Sequence, residues 1–120
     1  MYDAFANEFV NKATQLKFGC PFSDPAPDFG PLINSDAVEK VHYYNELVRQ
    51  DSSANVILDG SCDGDGYFMV PFAYKTEWAD KKYLKEEVFG PHVAIIPFDT
   101  IDDAIQIYND TDYGLALGVV

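Results

Sequence analysis

The run His92-Val93-Ala94-Ile95-Ile96-Pro97-Phe98, opened by Pro91 and followed by a polar corner, constrains the fold most. A short apolar run bounded by proline reads as a strand of the fully buried sort. Directly after it, Thr100 is placed to cap a helix with Asp102 and Asp103 in its first turn and Ile101, Ala104, Ile105 and Tyr108 on its buried face. A buried strand that feeds a helix calls for a sheet covered by helices.

The rest of the chain fits that plan. Tyr2, Phe5, Phe9, Val10, Ala13 and Leu16 fall at helical spacing, which predicts a helix from about Tyr2 to Lys17 that ends at Gly19, with Pro21 just beyond. Between Cys20 and Ile33 stand Pro21, Pro25, Pro27 and Pro31, so this segment is extended and not helical. A second helix starts near Asn34-Ser35-Asp36, with Val38, Val41, Leu47 and Val48 on one face and Arg49 in its last turn. Ala54 to Leu58 reads as a short buried strand closed by Asp59-Gly60. Past an Asp/Gly turn, Tyr67 to Tyr74 is extended, and Pro71 marks an edge, a bulge or an irregular crossing. Lys81 to Glu86 makes a single helical turn. The order is helix, helix, strand, strand, strand, helix, strand, which is α/β and neither all-α nor all-β. The first helix starts with almost no lead-in, and the chain stops in the uncapped apolar run Leu115 to Val120. Both features lead us to expect a fragment of a longer protein.

Charge narrows the function classes. Twenty acidic and eight basic side chains give a net charge of −12, and the single arginine is Arg49. A phosphate backbone or an anionic membrane surface is a poor partner for such a chain. With 48% apolar residues it is also too hydrophobic to be a disordered acidic tail. Two cysteines, Cys20 and Cys62, make no disulfide framework and no paired metal knuckle, which fits a reduced, cytoplasmic setting. No apolar run approaches the roughly 20 residues of a spanning helix.

Several chemical readings fail on residue type. In the calcium-loop register set by Gly66, Ser61 and Phe72 stand where the first acid and the bidentate glutamate belong, so we expect no metal site. Cys62 lies among acids that would raise its pKa, and Cys20 reads as a small packed thiol; His42 and His92 are the only histidines that could serve either as a base. His42 is expected at the surface or the core edge. Gly60 to Gly66 lacks the following helix of a phosphate loop. Lys85-Glu86-Glu87-Val88-Phe89-Gly90-Pro91 stands apart, with two carboxylates and an aromatic ring before a Gly-Pro turn into the buried strand. Its plain reading is a helix end with solvated acids and a ring tucked into the core.

Taken in order, the motifs resemble the aldehyde dehydrogenase superfamily over essentially the whole chain. They are Tyr2-Asp3-Ala4-Phe5, Phe29-Gly30-Pro31-Leu32-Ile33, Gly66-Tyr67-Phe68 with Pro71, Glu86-Glu87-Val88-Phe89-Gly90-Pro91, Pro97-Phe98, and Asn109-Asp110-Thr111-Asp112-Tyr113-Gly114-Leu115. The resemblance implies that residues 1–120 are part of a three-layer α/β/α catalytic domain of an enzyme that oxidises an aldehyde to a carboxylic acid with NAD or NADP. It further implies that Glu87 accepts hydrogen bonds from the nicotinamide ribose hydroxyls and that Phe89 packs near the nicotinamide. The family's nucleophilic cysteine, which forms a thiohemiacetal with the aldehyde, and its glutamate base belong to segments outside this chain. No catalytic residue is therefore expected here, and the chain by itself is expected to be inactive. The implied partners are the rest of the parent enzyme and further copies of it in a homo-oligomer.

Three positions depart from the pattern: Phe72 where the family usually has threonine, His92 where a small aliphatic residue is common, and Cys20 where an acid is frequent. None removes a ligand-contacting group, and the aldehyde is not specified. The alternative from another class is a non-catalytic acidic module that binds a protein partner.

Overall fold

The computed structural model describes residues 1–60 and 66–114. The interior of the Asp/Gly turn, with Cys62, Asp63 and Asp65, and the expected last strand at 115–120 lie outside the described residues. The elements are α1 (Tyr2–Ala13), α2 (Ser35–Arg49), β1 (Asn55–Asp59), β2 (Phe72–Lys75), α3 (Lys82–Lys85), β3 (His92–Ile95) and α4 (Ile101–Asn109). The strands form one mixed sheet in the order β1-β2-β3, antiparallel between β1 and β2 and parallel between β2 and β3.

Helix starts follow local chemistry. Asn34 Oδ1 accepts from the Ala37 amide at 2.9 Å, and Thr100 and Asp103 close a reciprocal capping box at the head of α4. The end of α1 does not follow the expected pattern. Thr14 Oγ1 donates to the carbonyls of Val10 and Asn11, both at 3.0 Å, and the next amides bond three residues back, so the helix tightens and stops before Gly19. Gly19 instead donates to Phe29 O at 3.2 Å, beside a bridge between Phe18 and Phe29.

Period-two alternation in the strands builds three layers. Phe72 and Tyr74 of β2, joined by Ala94 of β3, pack with Val41, Tyr44 and Val48 of α2 and with Met69, Tyr83 and Val88 in the main core. On the other face Lys75 pairs with Asp3 of α1, the Tyr2 hydroxyl donates to Ile95 O at 2.7 Å, and Val93 meets Phe9 and Ala13 of α1 across an apolar groove. The sole arginine is used structurally: Arg49 grips Asp59 through Nε at 2.8 Å and Nη2 at 2.6 Å, with its guanidinium 5.1 Å above the Phe72 ring.

Four expectations are corrected. Pro71 does not mark an edge strand; β2 is central, and Pro71 stands just before its first paired residue, where a missing N–H costs no ladder bond. The irregularity lies in β1, where the register shifts between Val56 and Leu58. Only Ile95 of β3 is buried, since β3 has no second neighbour among the described strands, and the strand stops there rather than at Phe98 because its pairing with β2 ends at Lys75. Ile101 and Ile105, assigned to a buried face of α4, are 65% and 50% exposed; α4 is fixed mainly at its end, where Asp110 accepts from Trp78 Nε1 at 2.9 Å and pairs with Lys85 at 3.2 Å. Phe5 and Leu16 of the first helical stripe are likewise exposed, on the rim of the groove. No helix among the described residues is long and apolar enough to cross a membrane.

Candidate functional site

A cleft of about 490 Å³ opens where α3 hands the chain to β3, and Glu86, Glu87, Phe89, Tyr74, Tyr83 and His92 are among its lining residues. Helix α3 ends at Glu86, whose φ of −94° and ψ of 143° send the backbone out in extended form. Val88 then turns into the core. At Phe89 the backbone takes φ 61°, the left-handed region that an aromatic residue rarely enters, and its ring is 77% exposed. Holding such a residue there costs roughly 1–2 kcal/mol, and strain of this kind is a mark of sites where a side chain must be aimed. Pro91 O accepts from the Phe72 amide at 2.8 Å, and parallel pairing begins at His92.

Helix α2 holds this loop from below. Lys40 Nζ donates to the backbone carbonyl of Glu87 at 2.7 Å, and the Tyr44 hydroxyl donates to the Glu86 carboxylate. Burial, reinforced by the Glu86 charge, pushes the Tyr44 phenol up to about 12, so it stays a donor. Gly90 lies flat on Val41: a Cβ there would sit under 3.0 Å from Val41 Cγ2. His92 lies at the loop's exit with Nδ1 2.7 Å from Asn45 Oδ1 and Nε2 3.2 Å from the Tyr74 hydroxyl. Burial pushes its imidazole down to about 4, so the ring is neutral at neutral pH. The Glu87 carboxylate, by contrast, makes no hydrogen bond or ion pair with the described residues, although its own backbone is pinned. A fixed backbone with an uncommitted carboxylate beside an outward-facing ring can accept from neighbouring hydroxyls and cover a planar group.

The two residues assigned to cofactor contact, Glu87 and Phe89, thus line one cleft. The plain alternative for the motif, a ring tucked into the core, does not hold for Phe89; Val88 fills that place. Cys20 is not the packed thiol expected, because the turn from Cys20 to Ser23 in the proline-rich segment leaves it exposed. His42 is exposed as expected, and both ring nitrogens of His92 are engaged by Asn45 and Tyr74, so His92 forms no dyad with Cys20. Lys40, Tyr44 and Asn45 were missed as parts of the site. The polar Asn45 interrupting the stripe Val41, Tyr44, Val48 at helical spacing was the one available signal, since a buried amide needs a partner.

Comparison with known proteins places this geometry. The model of the aldehyde dehydrogenase family matches residues 1–120. A 3-sulfolactaldehyde dehydrogenase of Priestia aryabhattai is 38% identical, with 99% of this chain and 24% of that protein covered. A 2-aminomuconic semialdehyde dehydrogenase of Bos taurus is 34% identical, with 99% of this chain and 26% of that protein covered. Among solved structures, an aldehyde dehydrogenase from Bacillus cereus superposes with a TM-score of 0.89 at 32% identity, over 98% of this chain and 24% of that one. A Mycobacterium tuberculosis aldehyde dehydrogenase complexed with NAD+ superposes with a TM-score of 0.85 at 36% identity, over 95% of this chain and 24% of that one. The chain spans about a quarter of the length of the curated relatives it matches. With a family model matched from end to end and an α/β fold shared with these enzymes, the chain belongs to the aldehyde dehydrogenase family.

Proposed function

We propose that residues 1–120 form the part of an NAD(P)-dependent aldehyde dehydrogenase that holds the nicotinamide ribose, within a parent enzyme that oxidises an aldehyde to a carboxylic acid. The observation that carries this reading is the Phe89 backbone at φ 61°, which turns the ring out of the core beside the uncommitted Glu87 carboxylate. The residues fit the group: a carboxylate offers acceptors for two adjacent hydroxyls, and an aromatic face covers a planar ring without competing for water. When bound, the nicotinamide supplies the hydride acceptor. This chain's share is to orient and to shield. Lys40 fixes the Glu87 backbone, Glu87 aligns the ribose, and Phe89 keeps water from one side.

The thiohemiacetal chemistry and the general base are assigned to the rest of the parent, as is the choice of aldehyde. The exposed apolar groove along α1 fits burial against that remainder. A free, exposed Cys20 supports a reduced, cytoplasmic setting. NADP in place of NAD, and assembly of the parent into a homo-oligomer, rest on the family resemblance. The reading is tested by single-turnover hydride transfer in the full-length parent carrying Glu87→Gln. Replacing a charged acceptor by a neutral one removes about 1–2 kcal/mol, so the rate is expected to fall roughly 5- to 30-fold with the fold intact. An unchanged rate would overturn the assignment.

A further inference from the structure

The loop 86–91 is held at its entrance by Lys40 on the Glu87 carbonyl and in its middle by Gly90 against Val41. A third contact lies at its exit, in a residue that departs from the small aliphatic type common in the resembled family. We propose that His92 is a positioning residue for Glu87 and Phe89, acting by bridging Asn45 of α2 to Tyr74 of β2. This rests on the assignment of Glu87 to the nicotinamide ribose.

The bridge follows from the partners. Asn45 is 3% exposed, and its Oδ1 only accepts, so the imidazole proton sits on Nδ1 at 2.7 Å. Nε2 is then left as an acceptor, and the buried Tyr74 hydroxyl at 3.2 Å supplies the donor. The ring also stacks on Phe72 with centroids 5.6 Å apart and planes 15° apart. One side chain of β3, the strand that the loop enters, thereby joins the helix that pins the loop to the central strand β2. Tyr74 has a second acceptor in Tyr83 O at 3.3 Å, but for Asn45 Oδ1 His92 is the partner among the described residues. An aliphatic side chain at position 92 would leave the Asn45 amide oxygen buried and unpaired, and α2 and β3 would separate to admit water or repack. Either response moves the Gly90 contact and, with it, Glu87.

The test is a double-mutant cycle on NAD+ affinity in the full-length parent, read by calorimetry. His92→Val is expected to weaken NAD+ binding about tenfold in the wild-type background and less than about twofold when Glu87→Gln is already present, because coupled residues do not add. His92→Asn, which keeps a donor at the Nδ1 position, is expected to recover at least half of that loss on a logarithmic scale. It also carries the test should His92→Val fold poorly. Wild-type affinity in His92→Val, or an equal loss in both backgrounds, overturns the proposal. Wild-type affinity in Glu87→Gln alone overturns instead the ribose assignment on which it rests.

Discussion

Replacing Gly90 by alanine adds one methyl group at the tightest place in the site. The added Cβ would lie under 3.0 Å from Val41 Cγ2, with Val41 Cβ and Cγ1 at 3.6 Å. Val41 has no escape: it is fully buried on α2 between the loop and the core, and a valine in a helix keeps one strongly preferred rotamer. Gly90 is not in the left-handed region, so the penalty is contact and not backbone strain. To restore ordinary contact, the loop must retreat by about 1 Å, a displacement that can cost up to about a hundredfold in a positioned reaction. Overpacking at such a site costs about 1–3 kcal/mol. In the full-length parent we expect Gly90→Ala to raise the NAD+ dissociation constant by about tenfold and to shorten the thermal inactivation half-life. Val41→Ala removes both γ-methyls and opens a cavity costing roughly 1–2 kcal/mol by itself. Combined with Gly90→Ala, it should recover part of both losses, with a coupling of about 1–2 kcal/mol across the pair. Calorimetric NAD+ titration and inactivation rates of the four proteins give the cycle. Wild-type affinity and half-life in Gly90→Ala, or strict additivity in the double variant, would refute the packing argument.

Two other outcomes follow from the same loop. Burial lowers the His92 imidazole from 6.5 to about 4, so above pH 6.5 neither the folded nor the unfolded state gains a proton there. As pH falls from about 6.5 toward 4 the unfolded state binds the extra proton first, so stability drops, by about 3 kcal/mol at full strength and by about 2 kcal/mol once solvent screening at the part-buried ring is allowed for. His92→Asn does not titrate there, so the difference between its unfolding free energy and that of the wild type should shift by this amount between about pH 7 and pH 4. A difference that is flat with pH would contradict a buried neutral imidazole. Phe89→Asn keeps a side chain that tolerates φ 61° and loses the ring, so we expect about 0.5–1 kcal/mol of added stability together with weaker NAD+ binding. Loss of stability on this substitution would argue against strain at Phe89.

What the sequence disclosed was local. Asn34 and Thr100 announce helix starts because a cap is a contact between near neighbours, and both are observed. The end of α1 escaped because the Thr14 hydroxyl competes for carbonyls that the apolar stripe assigns to the helix. The central place of β2 escaped because strand order is set by partners distant in sequence, and Pro71 offered only a local hint of an edge. The exposure of Ile101 and Ile105 shows a stripe that finds no cover among the described residues of this quarter-length chain. In the candidate site, that Glu87 and Phe89 share one cleft was legible because they belong to one motif of consecutive residues. Their supports were not: the contacts from Lys40, Tyr44 and Asn45 cross 47, 42 and 47 residues, a distance no spacing rule spans.

On the proposed reading, the cleft around Glu87 and Phe89 receives the nicotinamide ribose. The most direct measurement is the crystal structure of the full-length parent with NAD+ bound. Both Glu87 carboxylate oxygens are expected within about 3.2 Å of the ribose hydroxyls, and the Phe89 ring in van der Waals contact with the nicotinamide. A nicotinamide ribose bound elsewhere, with Glu87 still free of ligand, would contradict it.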